Sequence, residues 1–198
     1  MSNRDWSRRQ FTGSTLAALS LAGVGLGRVK TATGAELNED GLHHQPWFLD
    51  SFLELADDLT TAGETGKHFA VMWELKGCPY CAETHNVNFA EKRISDFIRS
   101  NFDVLQLNFI GSRLVTDFDG EEISEKDLAK KYGVRFTPTI QFFPKNVEGL
   151  ADKQPRKREV TRMPGYMKPD HFLTMFQYVA SESYNSKSFR EYLKTGQS

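Results

Sequence analysis

Cysteine is scarce in this sequence: two in 198 residues, Cys78 and Cys81, with only Pro79 and Tyr80 between them. That scarcity excludes a disulfide-stapled scaffold, because a structural disulfide gains most by closing a long loop and this one closes almost none. It also leaves too few thiolates for a structural zinc site, which wants four ligands. Net charge is nearly missing too, at -1. Nothing at whole-chain level therefore directs the protein to nucleic acid or to an anionic membrane. No segment repeats and none is compositionally degenerate. What remains is 39% hydrophobic and 26% charged residues, the composition of a chain that buries a core. The length fits one domain and a targeting or linker segment.

The first 35 residues read as an address. Ser7-Arg8-Arg9-Gln10-Phe11-Thr12 leads into a run without charge from Gln10 to Gly27, and Arg28 and Lys30 follow. A positive segment before an apolar one is the layout of an export signal. Paired arginines with Phe11 two residues on resemble the twin-arginine signal of bacteria. Gly13, Gly23, Gly25 and Gly27 dilute the run, which argues against a membrane-spanning helix. The expectation is an export signal and linker over 1–35, with Ala32-Thr33-Gly34 as a cleavage candidate. A folded domain over 36–198, working outside the cytoplasm, follows it.

In that domain Phe48, Phe52, Leu55 and Leu59 recur at helical spacing between Pro46 and Gly63. His68 to Leu75 is an almost unbroken apolar run of strand length, the kind buried on both faces of an α/β sheet. A long helical pattern runs from about Pro79 to Arg99, and Phe102 to Phe109 reads as a second strand. Asp119-Gly120 marks a turn inside a hairpin-like insertion over 111–123. Ser124 caps a helix that Gly133 ends. Strands are expected at Thr139–Phe143 and Arg158–Met163. Helices follow from Lys168 to about Ser183 and over Phe189–Lys194. A β-α-β unit followed by a β-β-α unit gives a mixed sheet flanked by helices.

The pair sits where thiol chemistry is favoured. Disulfide exchange needs a thiolate, and a cysteine at the first turn of a helix meets free backbone N–H groups and the positive end of the dipole. The strand ends at Leu75, Lys76-Gly77 turns the chain, and Pro79 suits the first helical position. Lys76 adds positive charge nearby. Cys81, one turn later and facing inward, can attack a mixed disulfide held on Cys78. Downstream, Pro138 stands just before a strand; position alone permits an ordinary trans proline there as well as a cis one.

The strand–Cys78-Pro79-Tyr80-Cys81–helix unit, the Thr137-Pro138 step and Met163-Pro164-Gly165-Tyr166 together resemble the thioredoxin superfamily, over roughly residues 46–185. The run from Trp73 to Pro144 is most similar to periplasmic thioredoxins of bacterial sulfur-oxidation clusters, the SoxW type. The features that carry it are Gly77-Cys78-Pro79-Tyr80-Cys81, Asp117-Phe118-Asp119-Gly120, Tyr132 through Thr139, and Met163 through Tyr166.

The resemblance implies Cys78 as nucleophile, Cys81 as resolving cysteine and a cis Pro138 beside them. The Thr137 backbone then pairs with an extended substrate segment, with Pro79 and Tyr80 also facing partners. It implies a monomeric reductase of protein disulfides, recharged by a membrane electron donor, with no cofactor but the redox-active disulfide. Disulfide oxidase or isomerase is the alternative direction. One departure stands out: thioredoxins proper carry a buried acid six residues before the first cysteine, and here that residue is Met72. Glu74 shares its face by strand alternation and could deprotonate Cys81; a surface carboxylate at a fraying strand end is the other reading.

A copper carrier using Cys78, Cys81 and His85 competes from another functional class. Attachment of c-type haem fails because Ala82, not histidine, follows Cys81. His43 and His44 read as solvated linker residues. Lys153, Arg156, Lys157, Arg158 and Arg162 read as a solvated loop and strand edge, with a docking surface for an acidic partner as the sharper alternative.

Overall fold

The computed structural model describes residues 36–195. The export signal expected over 1–35 lies outside the described residues. Among those described, no helix is long and apolar enough to cross a membrane.

The centre is β3 (His68–Glu74), all seven residues of which are buried. Both its edges are paired, in parallel to β4 (Phe102–Asn108) and antiparallel to β7 (Thr139–Phe142). The edge strand β8 (Thr161–Pro164) completes a mixed sheet of order β4-β3-β7-β8. Because successive strand residues face opposite ways, β3 feeds two separate cores. Ala70 and Met72 join Ile94, Ile98 and the apolar face of α6 (Pro169–Ala180). Phe69, Val71 and Trp73 join Leu55, Leu59, Leu128 and Tyr132, from α1 (Leu55–Glu64) and from α4 (Glu125–Lys131) with its C-cap. Helices thus cover both faces, and each large side chain so buried contributes about 1.5–3 kcal/mol.

Two expected helices change. The helix expected from Pro46 starts only at Leu55. Phe48 packs in the core on the opposite side of the sheet from Leu55 and Leu59, and Phe52 is 99% exposed. The helical spacing therefore holds for Leu55 and Leu59, which share the buried face of α1, while Phe48 and Phe52 lie before the helix. The long helix expected from Pro79 to Arg99 is broken. A short α2 (Pro79–Glu83) widens into a π-helical turn over Thr84–Asn88, closed by the Phe89 N–H on the Thr84 carbonyl (3.0 Å). After a turn, α3 (Lys92–Asn101) begins. The wide turn brings Thr84, His85 and Asn88 all inside, and such π-turns recur at functional positions.

The insertion is a hairpin, β5 (Leu114–Thr116) against β6 (Glu122–Ser124). Gly120, at φ +80°, makes its turn. Here the solvated reading of the basic run needs correction: Arg158 is buried, in a short helix α5 (Pro155–Arg158) rather than at the start of a strand. Its guanidinium donates to Asp117 (2.6 Å), to Asp119 (2.7 Å) and to the Leu150, Ala151 and Lys153 carbonyls. Lys131 meets the same two aspartates, and the Tyr132 hydroxyl donates to Asp117.

That cluster makes the hairpin sensitive to acid. Burial alone would raise the Asp119 pKa, but hydrogen bonds from Lys131 and Arg158 outweigh it and hold the carboxyl well below its ordinary 3.8. A depressed folded-state pKa contributes stability that is whole above the ordinary value and is lost as pH falls below it. Hydrogen exchange at Leu114–Thr116 is therefore expected to accelerate selectively from about pH 4 downward. Uniform acceleration across the sheet would show that Asp119 is not the controlling group.

Candidate active site

Cys78 and Cys81 form a disulfide with Cα atoms 5.3 Å apart. Gly77 turns the chain at φ +74°, a conformation that suits glycine. Cys78 then caps α2: its Sγ accepts the Cys81 backbone N–H at 3.2 Å, with Pro79 in the first turn. A hydrogen bond of this kind favours the thiolate once the disulfide opens. Exposure separates the two sulfurs' residues, 9% for Cys78 and 1% for Cys81. Only the first can be approached. The Lys76 stem passes close over Gly41, in the turn between β1 (Glu36–Leu37) and β2 (His43–His44).

The facing wall comes from residues 134–138. The Thr137–Pro138 bond is cis, and Cys78 Sγ lies 3.4 Å from both the hydroxyl and the carbonyl oxygen of Thr137. Gly165, also at positive φ, donates its N–H to the Pro138 carbonyl at 2.7 Å, which ties the Pro164-Gly165-Tyr166 segment to this loop. Tyr80 is exposed and its ring stacks on that of Tyr166, with centroids 6.2 Å apart.

Glu74 is fully buried, so it is no fraying surface carboxylate. Gln45 Nε2 faces His85 Nδ1 at 3.1 Å. An amide nitrogen only donates, so His85 carries its proton on Nε2, which donates to Glu74 Oε1 at 3.0 Å. The other carboxylate oxygen accepts from Gln106 Nε2. Gln106 Oε1 in turn accepts from His44 Nδ1 (3.0 Å) and Asn38 Nδ2 (3.3 Å). Two donors, His85 Nε2 and Gln106 Nε2, thus converge on Glu74, and Gln106 Nε2 also donates to the His43 carbonyl.

His43 and His44 therefore belong to a packed hairpin, not to a solvated linker; the His43 ring lies 5.8 Å from that of His85. The sequence singled out His85 as a metal ligand. Both its nitrogens are engaged, by Glu74 and Gln45, and among the described residues no three acidic, His or Cys side chains converge to hold a metal ion. Gln45, Gln106 and Asn38 were missed. The signal that could have found Gln106 was an amide set between the apolar Leu105 and Leu107 in strand Phe102–Asn108.

A mixed sheet between two helical layers, with a Cys-x-x-Cys disulfide where its central strand meets a helix, defines a thioredoxin-fold protein. The chain belongs to the thioredoxin-like domain family, whose match covers residues 55–180. Among solved structures it is similar to a thioredoxin-fold protein from Helicobacter pylori, at TM-score 0.55 and 21% identity over 77% of this chain and 94% of that one. A thioredoxin from Thermus thermophilus aligns at TM-score 0.47 and 23% identity, over 62% of this chain and 81% of that one. The C-terminal domain of DsbD from Neisseria meningitidis, in its oxidised form, aligns at TM-score 0.40 and 14% identity, over 62% and 90%. Comparison with curated proteins finds no match.

Proposed function

We propose that the protein is an exported thiol–disulfide oxidoreductase that reduces disulfides of other proteins. The observation that carries this reading is the unequal pair: an approachable Cys78 against the Thr137–Pro138 loop and a buried Cys81 behind it. In the reduced form the Cys78 thiolate attacks a partner disulfide, one partner sulfur leaves as thiolate, and a mixed disulfide forms. Cys81 then loses its proton and displaces the second partner sulfur. Two electrons pass to the partner, which leaves as a dithiol, and the Cys78–Cys81 disulfide remains. Pro79, Tyr80, Thr137 and Pro138 form the contact surface. A membrane electron donor restores the dithiol, and no cofactor beyond the cysteine pair takes part.

The SoxW-type resemblance supports a place in sulfur-compound oxidation, where a thiol-bearing carrier protein would be the substrate. The twin-arginine pattern of residues 7–12 supports export to the periplasm. The deciding measurement is the reduction potential of the pair. A value near the roughly -270 mV of thioredoxins supports reduction, whereas one near the roughly -120 mV of a strong disulfide donor assigns the opposite direction.

In this reading Glu74 takes the Cys81 proton, with the His85 and Gln106 hydrogen bonds holding the carboxylate in place. Glu74→Gln is expected to slow resolution of the mixed disulfide about a hundredfold at neutral pH, with the first attack unchanged. The deficit should narrow as pH rises, because hydroxide can then take the Cys81 proton without the carboxylate. A deficit independent of pH would make Glu74 a structural residue.

A further inference from the structure

Next to the disulfide the surface becomes basic. After the buried Val134 the chain emerges through Arg135 and Phe136 before Thr137 reaches Cys78. Phe136 is 65% exposed. Both residues line a cavity of about 280 Å³, together with Arg156, Arg162 and Pro164. Arg162 is already neutralised by Glu159 and donates to the Tyr132 carbonyl at 2.9 Å. Arg135 and Arg156 meet no carboxylate among the described residues. The backbone N–H groups of Arg135, Phe136 and Thr137 also have no acceptor among them. A chain whose net charge is only -1 thus keeps two guanidinium groups without a carboxylate partner among the described residues, in the cavity lined by the Arg135-Phe136 segment that leads to Thr137.

We propose that this wall selects partners carrying an acidic side chain two or three residues from the cysteine that Cys78 attacks. The proposal rests on the disulfide exchange described above. An extended segment lying along residues 135–137 advances about 3.3–3.6 Å per residue, so a carboxylate about 7 Å from the reacting sulfur comes level with Arg135. Guanidinium groups suit carboxylates because they offer paired donors in a fixed plane. The Phe136 ring offers an apolar face to the stem of the acidic residue. Charges at the rim of an encounter surface act chiefly on association rate and are weakened by salt.

The test uses the reduced full chain and two disulfide-looped peptides that differ only in Glu or Lys at that position. The Glu peptide is expected to react about tenfold faster at low ionic strength, the gap narrowing to about twofold in 0.5 M salt. In the double variant Arg135→Glu, Arg156→Glu the order should reverse, a result that damaged folding cannot produce. Equal rates for the two peptides on the native chain, or a Glu preference that survives charge reversal, would overturn the proposal. Hydroxyethyl disulfide, which is neutral and small, separates the two levels. If the native chain fails to reduce it, the exchange activity itself is lost, whatever the peptides show.

Discussion

Cys78→Ser is expected to abolish disulfide exchange, while Cys81→Ala is expected to stop it after a single attack. Serine offers no thiolate and cannot form the mixed disulfide, so the rate should fall by about 10⁴-fold or more. Cys81→Ala keeps the approachable sulfur with its Thr137 contact. What it removes is the inner sulfur that would release the partner. The product is a stable one-to-one covalent adduct, visible on a non-reducing gel and dispersed by dithiothreitol. The two variants differ because the first sulfur is reachable and the second is enclosed. If Cys81→Ala turned over normally while Cys78→Ser formed the adduct, the two roles would have to be exchanged.

The second large effect concerns stability. Arg158→Met is expected to cost about 3–5 kcal/mol, because it leaves the Asp117 carboxylate buried without its guanidinium partner. Asp117 is fully enclosed, and Lys131 and the Tyr132 hydroxyl are the other side-chain groups that meet it. In a domain of this size the loss corresponds to a fall in Tm of roughly 6–20 °C. Urea unfolding should show a lower midpoint with an unchanged slope. Adding Asp117→Asn should recover part of the loss by removing a buried charge that Lys131 is then left to offset without the guanidinium. A cost below about 1 kcal/mol would mean that water reaches the pair.

Arg158 also shows where sequence reading stops. Lys153, Arg156, Lys157, Arg158 and Arg162 look alike along the chain, and a run of basic residues reads as solvated. Arg158 is buried because Asp117 and Asp119 reach it from a hairpin some forty positions earlier. Arg156 is exposed, and no carboxylate among the described residues reaches it. Glu74 repeats the lesson. Its place in the strand left burial and exposure equally open, and His85 and Gln106, brought in by a π-turn and a neighbouring strand, closed the question.

Sequence alone determined the elements whose cause is local. The almost unbroken apolar run over 68–75 marked the doubly covered strand, Asp119-Gly120 marked the hairpin turn, and Ser124 marked a helix start. Lys76-Gly77-Cys78-Pro79 marked the passage from strand to helix that puts Cys78 at an N-cap. These follow from side-chain period, positive-φ tolerance and capping, all of which act within a few residues. Tertiary structure decided what holds Glu74 and which arginines, among the described residues, meet no carboxylate near the Thr137 loop. Each of those depends on atoms distant in sequence, and burial and hydrogen-bond pairing are settled only when the layers close.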